Sequence, residues 1–202
     1  VDILKIDPEK EALRICNFLK HEVTAVYKRS GIIVGLSGGV DSAVMAALAV
    51  QALGKERVFG LVLPERESNP VSVEYAEKQA RSLGIEYEVI DITTTVDSVG
   101  GGNGGGYQAR DAYIQELIPE YRPEYRYNII LPGNILEKGA YNIYTLQVEL
   151  PEGPVVKKRL GVDAFRMLAA FASIKIRARM LHLYWEAEKR SLVVAGTTNR
   201  TE

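Results

Sequence analysis

The stretch "GIIVGLSGGVDSAVMAALAV", residues 31 to 50, passes through three local patterns without a break. Ile32 to Leu36 is a short apolar run, as expected of a strand buried on both faces. The Ala, Leu, Val and Met residues over 41–53 read as a buried helix, with Gly54 as its stop. Between them stand Ser37, Gly38, Gly39, Val40, Asp41 and Ser42. A strand, a tight glycine-bearing turn and a helix N-terminus present several unpaired N–H groups to one point, which suits a phosphate group. Gly38 and Gly39 allow close approach and unusual backbone angles, and Ser37 and Ser42 add hydroxyl donors. Asp41 is the odd member, because a carboxylate beside a phosphate is repulsive unless a metal lies between them. Magnesium commonly uses one or two carboxylates together with phosphate oxygens, so Asp41 points to a magnesium nucleotide. An ordinary helix cap needs neither two glycines nor a second serine. The G-x-x-x-x-G-K-[ST] and G-x-G-x-x-G patterns are both absent.

The flanking chain repeats the strand-then-helix alternation. Ala12, Ile15, Leu19, Val23 and Val26 recur at helical spacing over 9–29. "RVFGLVLP", 57–64, is a second buried strand ended by Pro64, and 72–85 is a helix stopped at Gly84. "EYEVIDI", 86–92, is a third strand. Near-continuously apolar strands alternating with helices imply βαβ units and a parallel sheet covered on both faces. The alternation then lapses. "SVGGGNGGGY", 98–107, holds six glycines and reads as a loop. A helix over 108–121 ends at Pro119, and 141–160 reads as a β-hairpin around "PEGP". A long helix runs from Val162 to about Arg190, with Phe165, Leu168, Ala169, Ala172, Ile176, Met180 and Leu183 on one side, and then comes a strand at 192–196. The expectation is one α/β domain over 1–202 with an insertion at about 95–160. The chain opens on Val1 and stops at Glu202 directly after a motif-like segment, so further residues are expected beyond both ends.

Composition narrows the classes. Apolar residues make up 47% of the 202, enough for a sizeable core. Lys and Arg total 25 against 26 Asp and Glu, which disfavours a general nucleic-acid binder. Cys16 is the single cysteine, so no intramolecular disulfide or cysteine-based zinc site is possible, and its helical surroundings read as packing. With no apolar stretch long enough to span a bilayer and no signal peptide in the sequence, the expectation is a cytoplasmic protein without a membrane partner.

"SGGVDS" resembles the S-G-G-x-D-S signature of the N-type ATP pyrophosphatases, whose members include GMP, asparagine and argininosuccinate synthetases and tRNA-thiolating enzymes. The far end narrows the resemblance. "SIKIRARMLHLYWEAEKRSLVVAGTTNRTE", 173–202, resembles the ammonia-dependent NAD synthetase segment N-x-K-A-R-x-R-M, a helix, then V-x-G-T-x-N-x-S-E. Lys175, Arg177, Arg179 and Met180 match, then Gly196, Thr197, Asn199 and Glu202. The likeness covers about 31–92 and 162–202, and the insertion departs from the family core.

The resemblance implies a three-layer parallel sheet of the adenine nucleotide alpha hydrolase-like type, with a β-hairpin-containing insertion. It implies that Ser37, Gly38, Gly39, Val40, Asp41 and Ser42 hold the ATP phosphates, with Leu63 and Thr197 beside the nucleotide. Asp41 and Glu202 would be ligands of Mg²⁺, Asp41 and Ser42 the catalytic pair, and Arg177 the contact to the dinucleotide. The implied reaction attacks the α-phosphate of ATP with the carboxylate of deamido-NAD, releasing pyrophosphate. Ammonia then displaces AMP and gives NAD. The family also implies a homodimer. Two positions depart from the pattern. Val62 stands where many members have arginine, with Arg66 near enough to serve the same region, and Ser173 stands where asparagine is usual. The alternatives are the same chemistry on another small carboxylate or a tRNA base, or a nucleotide-binding relative without full catalysis. No C-x-x-C pair is present for sulfur transfer, and His21 and His182 have no partner motif.

Overall fold

The computed structural model describes residues 6–99, 106–130, 144–151 and 153–197. Two compact units emerge, one of Val1–Thr93 with Ala178–Glu202 and one of Thr94–Arg177.

The first unit is built on a four-stranded parallel sheet of order β3-β2-β1-β7, comprising β1 Gly31–Gly35, β2 Val58–Val62, β3 Glu86–Val89 and β7 Leu192–Ala195. Gly35 is in register with Leu61 and Val34 with Ala195, so three strands end along one edge. Helices α1 Pro8–His21, α2 Val40–Leu53 and α3 Pro70–Leu83 complete the predicted alternation. Alternation along β1 divides its contacts. Ile32, Val34 and Leu36 join a core with Leu19, Ala46, Ala49, Ala76 and Ala80 from the three helices. On the other side a Cβ at Gly35 would meet Leu183 of α6 (Val162–Arg190) at 3.3 Å, and Arg190 of the same helix lies 3.8 Å from the Phe59 ring centroid. The sheet therefore has helices on both faces, the predicted α/β fold. Cap chemistry sets the helix starts: Asp7 accepts from Lys10 N, Asn69 accepts from Val71 N, and a proline comes directly after each. Gly84 ends α3 in the left-handed region, at φ 66°.

The predicted helix over 9–29 is in fact α1 followed by a π-helix, Glu22–Val26, whose Tyr27 N donates to Glu22 O at 2.8 Å. The wider turn shifts the apolar stripe, so Val23 is buried while Val26 is 52% exposed.

The second unit holds α5 Gly106–Leu117 and a three-stranded antiparallel sheet, β4 Tyr127–Ile130, β5 Thr145–Val148 and β6 Val156–Arg159, in that order. β5 and β6 are the predicted hairpin, shortened at both ends. β4 is additional, as is the short helix α4, Thr93–Asp97. Ile114, Ile118, Tyr121, Leu146 and Val148 are buried together in this unit's core, with Leu168 from α6. Residues 100–105 of the predicted glycine-rich loop and residues 141–143 of the predicted hairpin lie outside the described residues.

Candidate functional site

The three strand ends of the first unit set the site. The chain leaves β1 through Leu36, enters Ser37-Gly38-Gly39 and turns into α2, with Gly39 as its extended N-cap. Gly38 has φ +77°, and a Cβ there would run into the Ser72 carbonyl oxygen of α3. Both the dihedral and the close approach exclude a side chain. The predicted glycine turn is thus present, and its second wall is the start of α3.

The two serines are not equivalent. Ser42 is 3% exposed, and its hydroxyl donates to Gly39 O at 3.0 Å. It accepts from Ser37 N at 3.3 Å and lies 3.1 Å from Ser37 Oγ. With its own proton on Gly39, the proton between the two hydroxyls comes from Ser37. Gly39 N donates back to Ser37 Oγ at 3.3 Å, which closes a ring around the turn. Ser37, Gly39, Val40 and Asp41 are exposed at the mouth. The first N–H groups of α2 have no intrahelical partner and face the same opening, with the positive end of the helix behind them.

Asp41 makes no ion pair or hydrogen bond among the described residues. Its carboxylate in the first turn of α2 is therefore available to a cation. No cluster of three or more His, Cys, Asp or Glu side chains occurs among the described residues. That donor set fits Mg²⁺ held by one or two carboxylates and phosphate oxygens, and does not form an all-protein cage.

The other predicted residues divide among the strand ends and the second unit. Leu63 follows β2 and is 7% exposed. Gly196 and Thr197 leave β7 at the same edge and are exposed. Asn199 and Glu202 lie outside the described residues. In the second unit Arg177 is exposed, while Lys175 Nζ sits 5.2 Å from the Tyr107 ring centroid. Arg110 stands 5.2 Å from the same ring and pairs with Asp111 at 2.7 Å. Tyr121 donates to Asp111 Oδ1 at 2.9 Å. Burial, then the Asp111 hydrogen bond and charge, push the Tyr121 hydroxyl well above the ordinary tyrosine range.

Sequence reasoning gave no role to three residues that shape the turn after β2. Glu65 is 7% exposed, its N–H donates to Ser68 Oγ at 3.0 Å and its Oε2 accepts from Glu67 N at 2.9 Å. Arg179 Nε donates to Leu63 O at 3.3 Å. Ser72 supplies the wall against Gly38. A run such as "ERES" carries no periodic signal that would mark its first glutamate as buried. The Arg179 contact joins positions far apart in the chain.

A family model described as NAD synthase matches residues 11–129. An NH(3)-dependent NAD(+) synthetase of Rhizobium meliloti (strain 1021) is 40% identical over 201 residues, covering 100% of this chain and 58% of the relative. The same-named protein of Thermotoga maritima is 37% identical over 195 residues, covering 96% and 60%. Among solved structures, an NH3-dependent NAD synthetase from Campylobacter jejuni in complex with the nitrate ion aligns with a TM-score of 0.57 at 24% identity, over 98% of this chain and 59% of that one. That likeness speaks to the fold alone. The chain spans about three fifths of the length of these curated relatives. With more than half its residues matched by the family model, the chain belongs to the NAD synthase family.

Proposed function

We propose that the protein is an ATP-dependent amide ligase that converts deamido-NAD and ammonia to NAD, with ATP cleaved to AMP and pyrophosphate. One observation carries the reading. The glycine turn between β1 and α2, with Asp41 at its mouth, is a phosphate cradle with a free carboxylate in a chain of this family. The exposed main chain of the turn and the α2 N-terminus bind the triphosphate. Ser42 holds the shape of that cradle from beneath, and Ser37 presents its hydroxyl at the surface. Asp41, with Glu202, would hold Mg²⁺, which when bound neutralises phosphate charge. The substrate carboxylate oxygen attacks the α-phosphorus as the bond to pyrophosphate breaks. Ammonia then attacks the acyl carbon, AMP departs and the nitrogen releases a proton. Leu63 and Thr197 would border the nucleotide, and exposed Arg177 would contact the dinucleotide.

The same reading makes the protein cytoplasmic and homodimeric. Among the described residues no helix is long and apolar enough to cross a membrane. Leu181, Tyr184 and Trp185 on α6 are 63%, 57% and 67% exposed, at a spacing that places them on one stripe. Amidation of a different carboxylate is the second reading, favoured by Ser173 in place of the usual asparagine.

The test is exchange of labelled pyrophosphate into ATP by the full-length protein without ammonia. The reading predicts exchange that requires deamido-NAD. Exchange supported only by another carboxylate would move the assignment to the second reading.

A further inference from the structure

The junction between β1 and β2 leaves one carbonyl without a strand partner. Leu36 N donates to Leu61 O at 2.8 Å, the last main-chain bond from β1 to β2 before the turn. Hydrogen bonds between parallel strands recur every two residues, so the next would run from Gly38 N to Leu63 O. At Gly38 the chain has already swung to φ +77° to form the phosphate turn. Leu63 is buried, and a buried carbonyl without a donor is costly. Arg179 fills the place, its Nε donating to Leu63 O at 3.3 Å from the part of α6 that belongs to the same unit.

The segment from Pro64 to Asn69 is tied down at both ends. Pro64 O accepts from Ile92 N at 2.9 Å, and Ser68 N donates to Glu65 O at 2.8 Å. Glu65 N donates to Ser68 Oγ, Glu67 N donates to Glu65 Oε2, and Asn69 caps α3. Three residues beyond the cap, the Ser72 carbonyl backs directly onto Gly38. A continuous set of contacts thus runs from the α6 guanidinium, through the turn after β2, to the phosphate turn itself. Among the described residues the remaining guanidinium nitrogens of Arg179 make no hydrogen bond.

We propose that Arg179 is a positioning residue for the nucleotide site. It replaces the backbone donor that β1 withdraws, and so holds the wall against which Gly38 and its neighbours are set. This rests on the proposed ATP-dependent function, and it assigns Arg179 a task different from the substrate contact implied for Arg177.

The experiment compares full-length wild type, R179A, R179K and R179M. ATP·Mg²⁺ dissociation constants are read by displacement of a fluorescent ATP analogue, and KM values for ATP and deamido-NAD are read separately. The expected result is about tenfold weaker ATP binding and a matching rise in KM for ATP in R179A. KM for deamido-NAD should stay near wild type, the melting temperature should fall by about 2–10 °C for the stranded carbonyl, and R179K should recover part of the loss. R179M, which keeps the length of the stem but has no donor, substitutes for R179A if that variant does not fold. Wild-type ATP affinity in folded R179A or R179M overturns the proposal, as does an equal rise in both KM values. A wild type that binds ATP but does not amidate deamido-NAD overturns the functional reading alone, because the ATP dissociation constants still judge Arg179.

Discussion

The hydroxyls of Ser37 and Ser42 lie 3.1 Å apart, one exposed and one 3% exposed, across the base of the same turn. The inner hydroxyl holds the turn together, since it meets Ser37 N, Ser37 Oγ and Gly39 O at once. S42A takes the acceptor from the part-buried Ser37 N–H and should cost about 1–2 kcal/mol in stability, with ATP turnover falling at least as far. S37A removes a hydroxyl that water can replace and should cost less than about 1 kcal/mol. Urea unfolding of the two variants, alongside AMP release, checks the ranking.

Two glycines of the site make opposite predictions. Gly38 combines a left-handed φ with the Ser72 carbonyl where a Cβ would go, so G38A should abolish measurable ATP binding. Among the described residues a Cβ at Gly196 meets nothing within 4 Å, so G196A should change stability by less than about 0.5 kcal/mol. ATP titration of both variants separates a steric requirement from a motif match.

Glu186 gives the first unit a pH-sensitive tie. Burial pushes its carboxyl up, but hydrogen bonds and charge from Lys189 and Arg190 outweigh this and hold it below its ordinary 4.5. A depressed carboxylate stabilises the fold fully above that ordinary value and stops doing so as pH falls through the folded-state value. Melting temperatures between pH 7 and pH 3 should therefore fall more steeply on the acid side in wild type than in E186Q. At neutral pH, E186Q should already be destabilised by about 1–3 kcal/mol.

Cys16 should be silent to thiol reagents in the native protein. It is 6% exposed, its Sγ lies 3.5 Å from Leu48 O as a donor, and burial pushes the thiol up. Less thiolate and no access both slow the reaction. Labelling at pH 8 should proceed at the rate of global unfolding and become fast in denaturant. Fast native labelling would place Cys16 outside the core.

The main parallel sheet was legible because its strands are short apolar runs separated by helices with ordinary caps. Ile32 to Leu36, Val58 to Val62 and Gly84 follow that grammar directly. The π-turn at Glu22–Val26 was not, since a one-residue shift leaves the apolar spacing almost unaltered. β4 was hidden because "YNII" needs β5 beside it before it reads as a strand, and its register with Thr145–Val148 is a non-local fact. At the site, Ser37 to Ser42 were legible as a tight glycine turn into a helix N-terminus from residue types alone. Ser42's inward role, the burial of Glu65 and the Arg179–Leu63 contact depend on which groups the fold leaves unpaired.

Product analysis of full-length protein with ATP·Mg²⁺, deamido-NAD and ammonium, with D41A alongside, tests the amide-ligase function most directly. Wild type should yield AMP, pyrophosphate and NAD in equal amounts, and D41A at least a hundredfold less, by order of magnitude. ATP bound by wild type without any NAD formed, or NAD formed equally well by D41A, would contradict that function.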